Sequence, residues 1–202
     1  MSTNEKTKVA MLVATAQDAE VRGAALQKLA AQNDLLELVF AGMDQEPEEI
    51  IAAFAGAAAL ITMNKQFINP IATNLPGLKL LQTFSAGTDE LDRAQLLSQG
   101  VKVANNDGAN AVAVAEHAIW MMVTISHKLD LQIESVKAGK WMAGVTGAMT
   151  EYTSLVDKQV GIIGLGRIGS RVAKRLAGWA CNVVYHDPIT FDAEYESESG
   201  AT

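Results

Sequence analysis

With 202 residues, 49% of them hydrophobic and 19% charged, the chain has material for one large or two small globular domains and is neither disordered nor fibrous in composition. A net charge of −7, with no run of Lys or Arg beyond isolated pairs, excludes a nucleic-acid footprint and argues against docking on anionic membranes, which leaves small-molecule chemistry as the expectation. The single cysteine, Cys181, cannot close an internal disulfide; it reads as a small buried hydrophobe in a reducing, cytoplasmic protein.

At the amino end, Lys6 and Lys8 precede the apolar run Val9–Ala14, and Ala14-Thr15-Ala16 looks like a small-residue cleavage site. The run is at the short limit for a signal core, and Asp18 and Glu20 follow at once, so it is read as a first strand. No apolar segment reaches the roughly 20 residues needed to span a bilayer. Strand and helix then alternate. A helix is expected over Ala19–Ala31, a strand over Leu36–Phe40, and a helix over Glu46–Ala55, where Pro47 suits the first turn. Ala58–Thr62 reads as a strand, Ile68–Asn74 as a short helix and Leu78–Thr83 as a strand. Glu90–Ser98 is a helix closed by Gly100, with Thr88 and Asp89 as its caps, and Val101–Ala104 is a fifth strand. Such alternation implies a parallel sheet covered on both faces, so residues 1–104 are expected to form one α/β domain.

Asn105–Asn110 is a turn-rich hinge into a second region, 105–202. A long helix is expected from Ala111 to about Ala138, with Ala115, Ile119, Met122, Ser126, Leu129, Ile133 and Val136 on one face. That face reads as a core stripe, part of which could serve as a subunit interface. Next comes the most informative segment. Val160–Ile163 is an apolar strand that runs into Gly164-Leu165-Gly166-Arg167-Ile168-Gly169, a G-x-G-x-x-G loop at the start of a helix. A second apolar strand, Val183–His186, ends at Asp187, 18 residues after the last glycine. In this arrangement the first glycine permits a tight turn, the second lets backbone approach a pyrophosphate, and the third allows the helix to pack on the strand. Asp187 can accept from ribose hydroxyls, and its charge favours NAD over NADP because no Lys or Arg lies between Pro188 and Thr202. The tail Glu194–Thr202 lacks apolar periodicity, so one strand, one helix and a second strand of a dinucleotide fold are expected here, a fold left unfinished.

Four segments in order resemble the D-isomer-specific 2-hydroxyacid dehydrogenases. They are Leu81–Asp92, Asn110–His117, Lys137–Trp141, and Val160–Gly169 with Asp187-Pro188. The resemblance implies a flavodoxin-like parallel-sheet substrate domain over 1–104, followed by a linker helix and the opening βαβ of a Rossmann NAD-binding domain. It implies that Ser85, Ala86 and Gly87 bind a substrate carboxylate through backbone N–H groups, a role that a small-residue loop at a strand's carboxyl end can fill. It assigns Gly164, Gly166, Arg167, Ile168, Gly169, Asp187 and Pro188 to the cofactor. Small 2-hydroxy or 2-keto acids are the implied substrates and a homodimer the implied assembly.

The family's catalytic Arg, Glu and His come later than the second coenzyme strand and have no counterpart here, so the chain is expected to be an N-terminal portion, inactive alone. Glu116 and His117 are adjacent on a helix and diverge by about 100°, which disqualifies them as an acid–base pair. His117 reads as a packing residue and His127 as an exposed one; the side chain of His186 is expected to point away from the nicotinamide end. Trp141 is expected to anchor the linker by packing. Asn106-Asp107-Gly108 departs from the family's commoner proline before the glycine. A non-catalytic NAD-binding interaction protein, like the corepressors that resemble these dehydrogenases, is the alternative that the sequence leaves open.

Overall fold

The computed structural model describes residues 6–31, 35–63, 65–141 and 152–202. The chain divides into two compact units, Met1–Asp107 and Gly108–Thr202.

In the first unit the alternation becomes β1 (Thr7–Val13), α1 (Ala16–Ala30), β2 (Leu36–Gly42), α2 (Pro47–Ala53), β3 (Ala59–Thr62), α3 (Ile68–Thr73), β4 (Leu80–Thr83), α4 (Arg93–Ser98) and β5 (Lys102–Ala104). All five strands are parallel, in the order β2-β1-β3-β4-β5, which is the flavodoxin-like arrangement. Register is set by burial. Leu12, Leu60 and Leu81 are fully buried on neighbouring strands, and Ile50 and Phe54 at the end of α2, Ile68 and Ile71 of α3 and Leu96 of α4 close the same core. Pro47 occupies the first turn of α2, where its missing N–H is not needed.

One expected helix start moves. α4 begins at Arg93, capped by Asp92, whose carboxylate accepts from Gln95 N at 2.9 Å; Thr88 and Asp89 are not its caps. The local pattern explains this: buried Leu91 and Leu96 lie just before the cap and one turn beyond it, a hydrophobic staple that fixes where the helix can begin.

The second unit contains α5 (Ala111–Ser126), α6 (Leu129–Lys137), β6 (Gln159–Ile163), α7 (Gly169–Leu176), a 3₁₀ turn (Ala177–Trp179), β7 (Asn182–His186) and α8 (Ala193–Ser199). The single long helix expected over 111–138 is therefore two. Lys128 adopts a left-handed conformation (φ 52°), Ser126 Oγ donates back to Met122 O at 2.6 Å, and the Thr153 N–H donates to Ser126 O at 2.9 Å. A side chain competing for the helix's own carbonyls ends α5 there. The break divides the expected stripe. Ala115, Ile119 and Met122 enter the core with Leu165, Val172, Ala173, Leu176 and Val183, whereas Ile133 and Val136 on α6 are half exposed.

β6 and β7 pair in parallel, Gln159 opposite Asn182 through Ile163 opposite His186. The tail also differs from its reading as an unpatterned polar end. Asp192 caps α8 by accepting from Tyr195 N at 2.8 Å, and Gly200 ends it in the left-handed conformation. Thr202 then exchanges backbone bonds with β7, donating to Val183 O at 3.0 Å and accepting from Tyr185 N at 3.2 Å. These are the bonds of a third parallel strand beside β7. The polar spacing hid this helix because two of its three inward positions, Tyr195, Glu196 and Ser199, are polar residues.

Candidate functional site

The glycine loop lies at the carboxyl end of β6. Gly164 takes φ +92°, a conformation suited to glycine, and its N–H donates to His186 O at 2.8 Å, tying the loop to the end of β7. A Cβ on Gly169 would lie 2.0 Å from Gly164 O and 3.1 Å from Ile162 Cγ2, so this glycine permits the close packing of α7 on β6. A Cβ on Gly166, by contrast, would meet nothing within 4 Å. The fold therefore does not need a glycine at 166, and the open space beside it is where an approaching phosphate would fit. Ile168 precedes α7 with no side-chain cap bond, so the first-turn N–H groups are not occupied by a capping side chain.

Asp187, at the carboxyl end of β7, is half buried and accepts twice from backbone: Oδ2 from Leu165 N at 2.7 Å and Oδ1 from Ile189 N at 2.9 Å. Each carboxylate oxygen retains a further lone pair, so ribose hydroxyls can still be accepted. Pro188 is exposed and continues the turn after Asp187. The carbonyl of Leu165 is held from the other side by the Tyr195 hydroxyl at 3.0 Å, and the Tyr195 ring stacks on Phe191 with centroids 4.6 Å apart. The two peptide groups flanking Leu165 are thus clamped, one at its N–H and the other at its C=O. Tyr195 is a site residue that the sequence reading missed, since it lies in the tail judged to be without pattern.

Nearby, the Tyr185 hydroxyl donates to Glu196 Oε1, and its pKa is raised above 10.0 because that bond favours the protonated phenol, with desolvation and the charges of Glu196 and Asp187 adding to it. Arg167 extends against the start of the unit. A Cβ on Gly108 (φ +77°) would come 2.7 Å from Arg167 Nη1, so glycine at this point of the hinge gives both the backbone conformation and the room for the guanidinium.

In the first unit, Ser85, Ala86 and Gly87 follow β4 at the carboxyl edge of the sheet. Four consecutive carbonyls around this loop are engaged. Asn106 Nδ2 donates to Phe84 O at 3.4 Å, and both Thr83 Oγ1, at 2.8 Å, and Asn106 N, at 3.1 Å, donate to Ser85 O. Asn105 Nδ2 donates to Ala86 O at 2.5 Å and Ser85 Oγ to Gly87 O at 3.0 Å. The acceptors of the loop are thus turned to these donors. Asn105 and Asn106 read in the sequence as turn formers; their carboxamides are clamps as well.

The remaining candidates are scattered. Glu116 pairs with Arg175 at 3.0 Å, and His117 lies exposed against Trp120, with ring centroids 5.4 Å apart. His127 is not the exposed residue expected: it ends α5 and meets Tyr152 edge-on at 4.6 Å. The His186 side chain is exposed while its carbonyl holds the glycine loop. Trp141, expected to anchor by packing, is 80% exposed. Among the described residues no histidine bonds a carboxylate, no cluster suits a metal ion, and no helix is long and apolar enough to cross a membrane. Cys181 is half buried, packed on the second core.

A parallel βαβ unit with a glycine loop and an acid at the end of its second strand defines the dinucleotide-binding class. Residues 119–202 match the model of the D-isomer specific 2-hydroxyacid dehydrogenase NAD binding domain. The matched residues all lie in the second unit, which therefore resembles the NAD-binding domain of that family. The chain is similar to Arabidopsis thaliana formate dehydrogenase (34% identity over 124 residues, 61% of this chain and 32% of the relative). It is also similar to glyoxylate/hydroxypyruvate reductase A of the same plant (33% over 116 residues, 57% and 36%). To D-3-phosphoglycerate dehydrogenase of Archaeoglobus fulgidus it is 31% identical over 159 residues, 78% of this chain and 29% of the relative. The chain thus spans about a third of the length of these curated relatives. The crystal structure of apo D-mandelate dehydrogenase from Rhodotorula graminis shares the fold, with TM-score 0.76 and 20% identity over 98% of this chain and 60% of that one.

Proposed function

We propose that this chain contributes the substrate loop and the pyrophosphate and ribose half of the cofactor site to an NAD-dependent oxidoreductase acting on a small 2-hydroxy or 2-keto acid. The observation that carries the reading is the glycine loop clamped at Leu165 between Asp187 and Tyr195, beside the open space at Gly166. Gly164, Gly166, Arg167, Ile168 and Gly169 would receive the pyrophosphate, and Asp187 with the turn at Pro188 the adenosine ribose. The nicotinamide end of the cofactor supplies or accepts the hydride. Residues 1–104 serve as the substrate domain, where the amides of Ser85, Ala86 and Gly87 bind the carboxylate, and 105–202 as the linker and coenzyme region. Proton transfer at the substrate oxygen needs a group tuned toward neutrality, commonly a histidine beside a carboxylate, and the described histidines stand apart from carboxylates. Turnover is therefore assigned to the whole protein and not to these 202 residues. The lone Cys181 supports a reducing, cytoplasmic setting. A homodimer is part of the same proposal, supported by Trp120, Met121 and Ile125, exposed along α5.

The test is titration of the purified chain with NAD, ADP and NADP, together with an assay of NADH oxidation on glyoxylate, hydroxypyruvate and pyruvate. NAD and ADP are expected to bind, NADP to bind more weakly, and turnover to be absent. A chain that binds neither NAD nor ADP would refute the cofactor site, and turnover near 1 s⁻¹, on the order of ordinary enzymes, would refute the assignment of proton transfer elsewhere.

A further inference from the structure

We propose that the groove along the outer face of α7 is a second anion site, one that takes a small molecule carrying two or more phosphate groups. The helix places Arg171, Lys174 and Arg175 at steps of three and one along one face, and Arg167 lies one turn before them. Tyr195 and Glu198 of α8 form part of the opposite wall. The groove is half open to solvent and has a volume of about 580 Å³, in the range of sites that hold small ligands. Among its lining residues four are cations and only Glu198 is an anion, in a chain whose net charge is −7.

A solvated helix face with the same composition would carry free-swinging side chains. Here two of the guanidinium groups are already held. Arg171 Nη1 donates to Arg167 O at 2.7 Å, Arg175 Nη1 donates to Arg171 O at 3.2 Å, and Arg175 Nη2 donates to Glu116 Oε1 at 3.0 Å. A ligand that meets ordered cations forfeits less side-chain entropy on binding, and each guanidinium keeps further N–H groups for it. The planar fork of arginine matches phosphate oxygens in pairs, and Lys174 adds a compact point charge. Arg171 and Arg175 are one turn apart, about 6 Å along the axis, a spacing that suits adjacent phosphates better than a single one.

The groove is separate from the cofactor loop. α7 runs back from the carboxyl edge of β6 toward its amino edge, so Lys174 and Arg175 lie at the far end of the helix from Gly166. Only Arg167 is common to the groove and the glycine motif. The inference does not rest on the NAD reading.

Calorimetric titration of the 202-residue chain with sodium tripolyphosphate at low ionic strength tests it, using wild type, Lys174→Glu, Arg171→Gln and Gly166→Val, each checked for folding by its thermal midpoint. Wild type is expected to bind, with Lys174→Glu and Arg171→Gln each weakening affinity about tenfold through loss of a phosphate contact. Gly166→Val should lose at most the contribution of the glycine loop and keep the binding that Lys174→Glu weakens, and added salt should weaken all of them. The proposal is overturned if wild type does not bind, or if the two charge variants bind equally well. It is also overturned if Gly166→Val abolishes binding, which would place the phosphate in the glycine loop. A glutamate-rich peptide that binds more tightly than tripolyphosphate with the same sensitivity to Lys174→Glu would reassign the groove to a protein partner.

Discussion

Asp187→Ala separates two jobs that one carboxylate holds. The sequence alone suggests that this change only narrows the preference for NAD, by removing the charge that opposes a 2′-phosphate. In the structure the same carboxylate also accepts from the Leu165 amide at 2.7 Å, and Leu165 is fully buried. Alanine would leave that N–H without its acceptor where water cannot readily replace it. A hydrogen bond to a charged group is worth about 1.5–3 kcal/mol, which corresponds to a loss of roughly 10- to 100-fold in affinity if the loop must be re-formed on binding. The second bond, to Ile189 N at 2.9 Å, lies at an exposed position where water can substitute, and it adds little. Asp187→Ala is therefore expected to narrow the gap between cofactors chiefly by weakening NAD. Asp187→Asn keeps an acceptor for Leu165 while removing the charge, so it should narrow the gap more by improving NADP. Calorimetric titrations of the three proteins with both cofactors, alongside their unfolding midpoints, decide the matter. Wild-type NAD affinity in Asp187→Ala, or an equal loss in the asparagine variant, would refute the tether.

Two of the three glycines of the loop should respond oppositely: Gly166→Val should abolish NAD and ADP binding at an unchanged melting temperature, because its side chain enters open space. Gly169→Ala drives a Cβ to 2.0 Å from Gly164 O and should lower stability by about 1–3 kcal/mol or more, read by denaturant titration. Tyr195→Phe keeps the ring on Phe191 but loses the bond to Leu165 O, worth about 0.5–1.5 kcal/mol. ADP should then bind a few-fold more weakly and adenosine equally well; equal losses for both would point to a general structural effect. For Tyr185 the folded pKa is raised above 10.0, so the fold favours the protonated phenol. That contribution is present below pH 10 and is lost as pH rises through the raised value. Unfolding midpoints measured across the alkaline range should fall less steeply in Tyr185→Phe than in wild type.

What could be read from the sequence, and what could not, follows from the range over which each signal acts. The placement of the glycine loop and Asp187 was legible because it is set by backbone conformation and spacing within one βαβ unit, and the structure puts both at neighbouring strand ends. The five strands of the first unit were legible because runs such as Leu36–Gly42 and Ala59–Thr62 are apolar over most of their length. The failures arose where one side chain redirected the chain against the local pattern. Apolar spacing runs unbroken through Ser126, yet a hydroxyl turned back onto Met122 O and a left-handed Lys128 split the helix. Polar residues predominate after Glu194, yet a capped turn of helix brings Tyr195 to the loop and Thr202 to the edge of β7. Those contacts span 30 residues in one case and 19 in the other, so no window of periodicity could contain both partners. The same reasoning applies to Asn105 and Asn106, whose side chains reach back about 20 residues to hold the carbonyls of Ala86 and Phe84. A turn-forming asparagine and a clamping one have the same letter, and only the strand order that brings β4 beside β5 tells them apart.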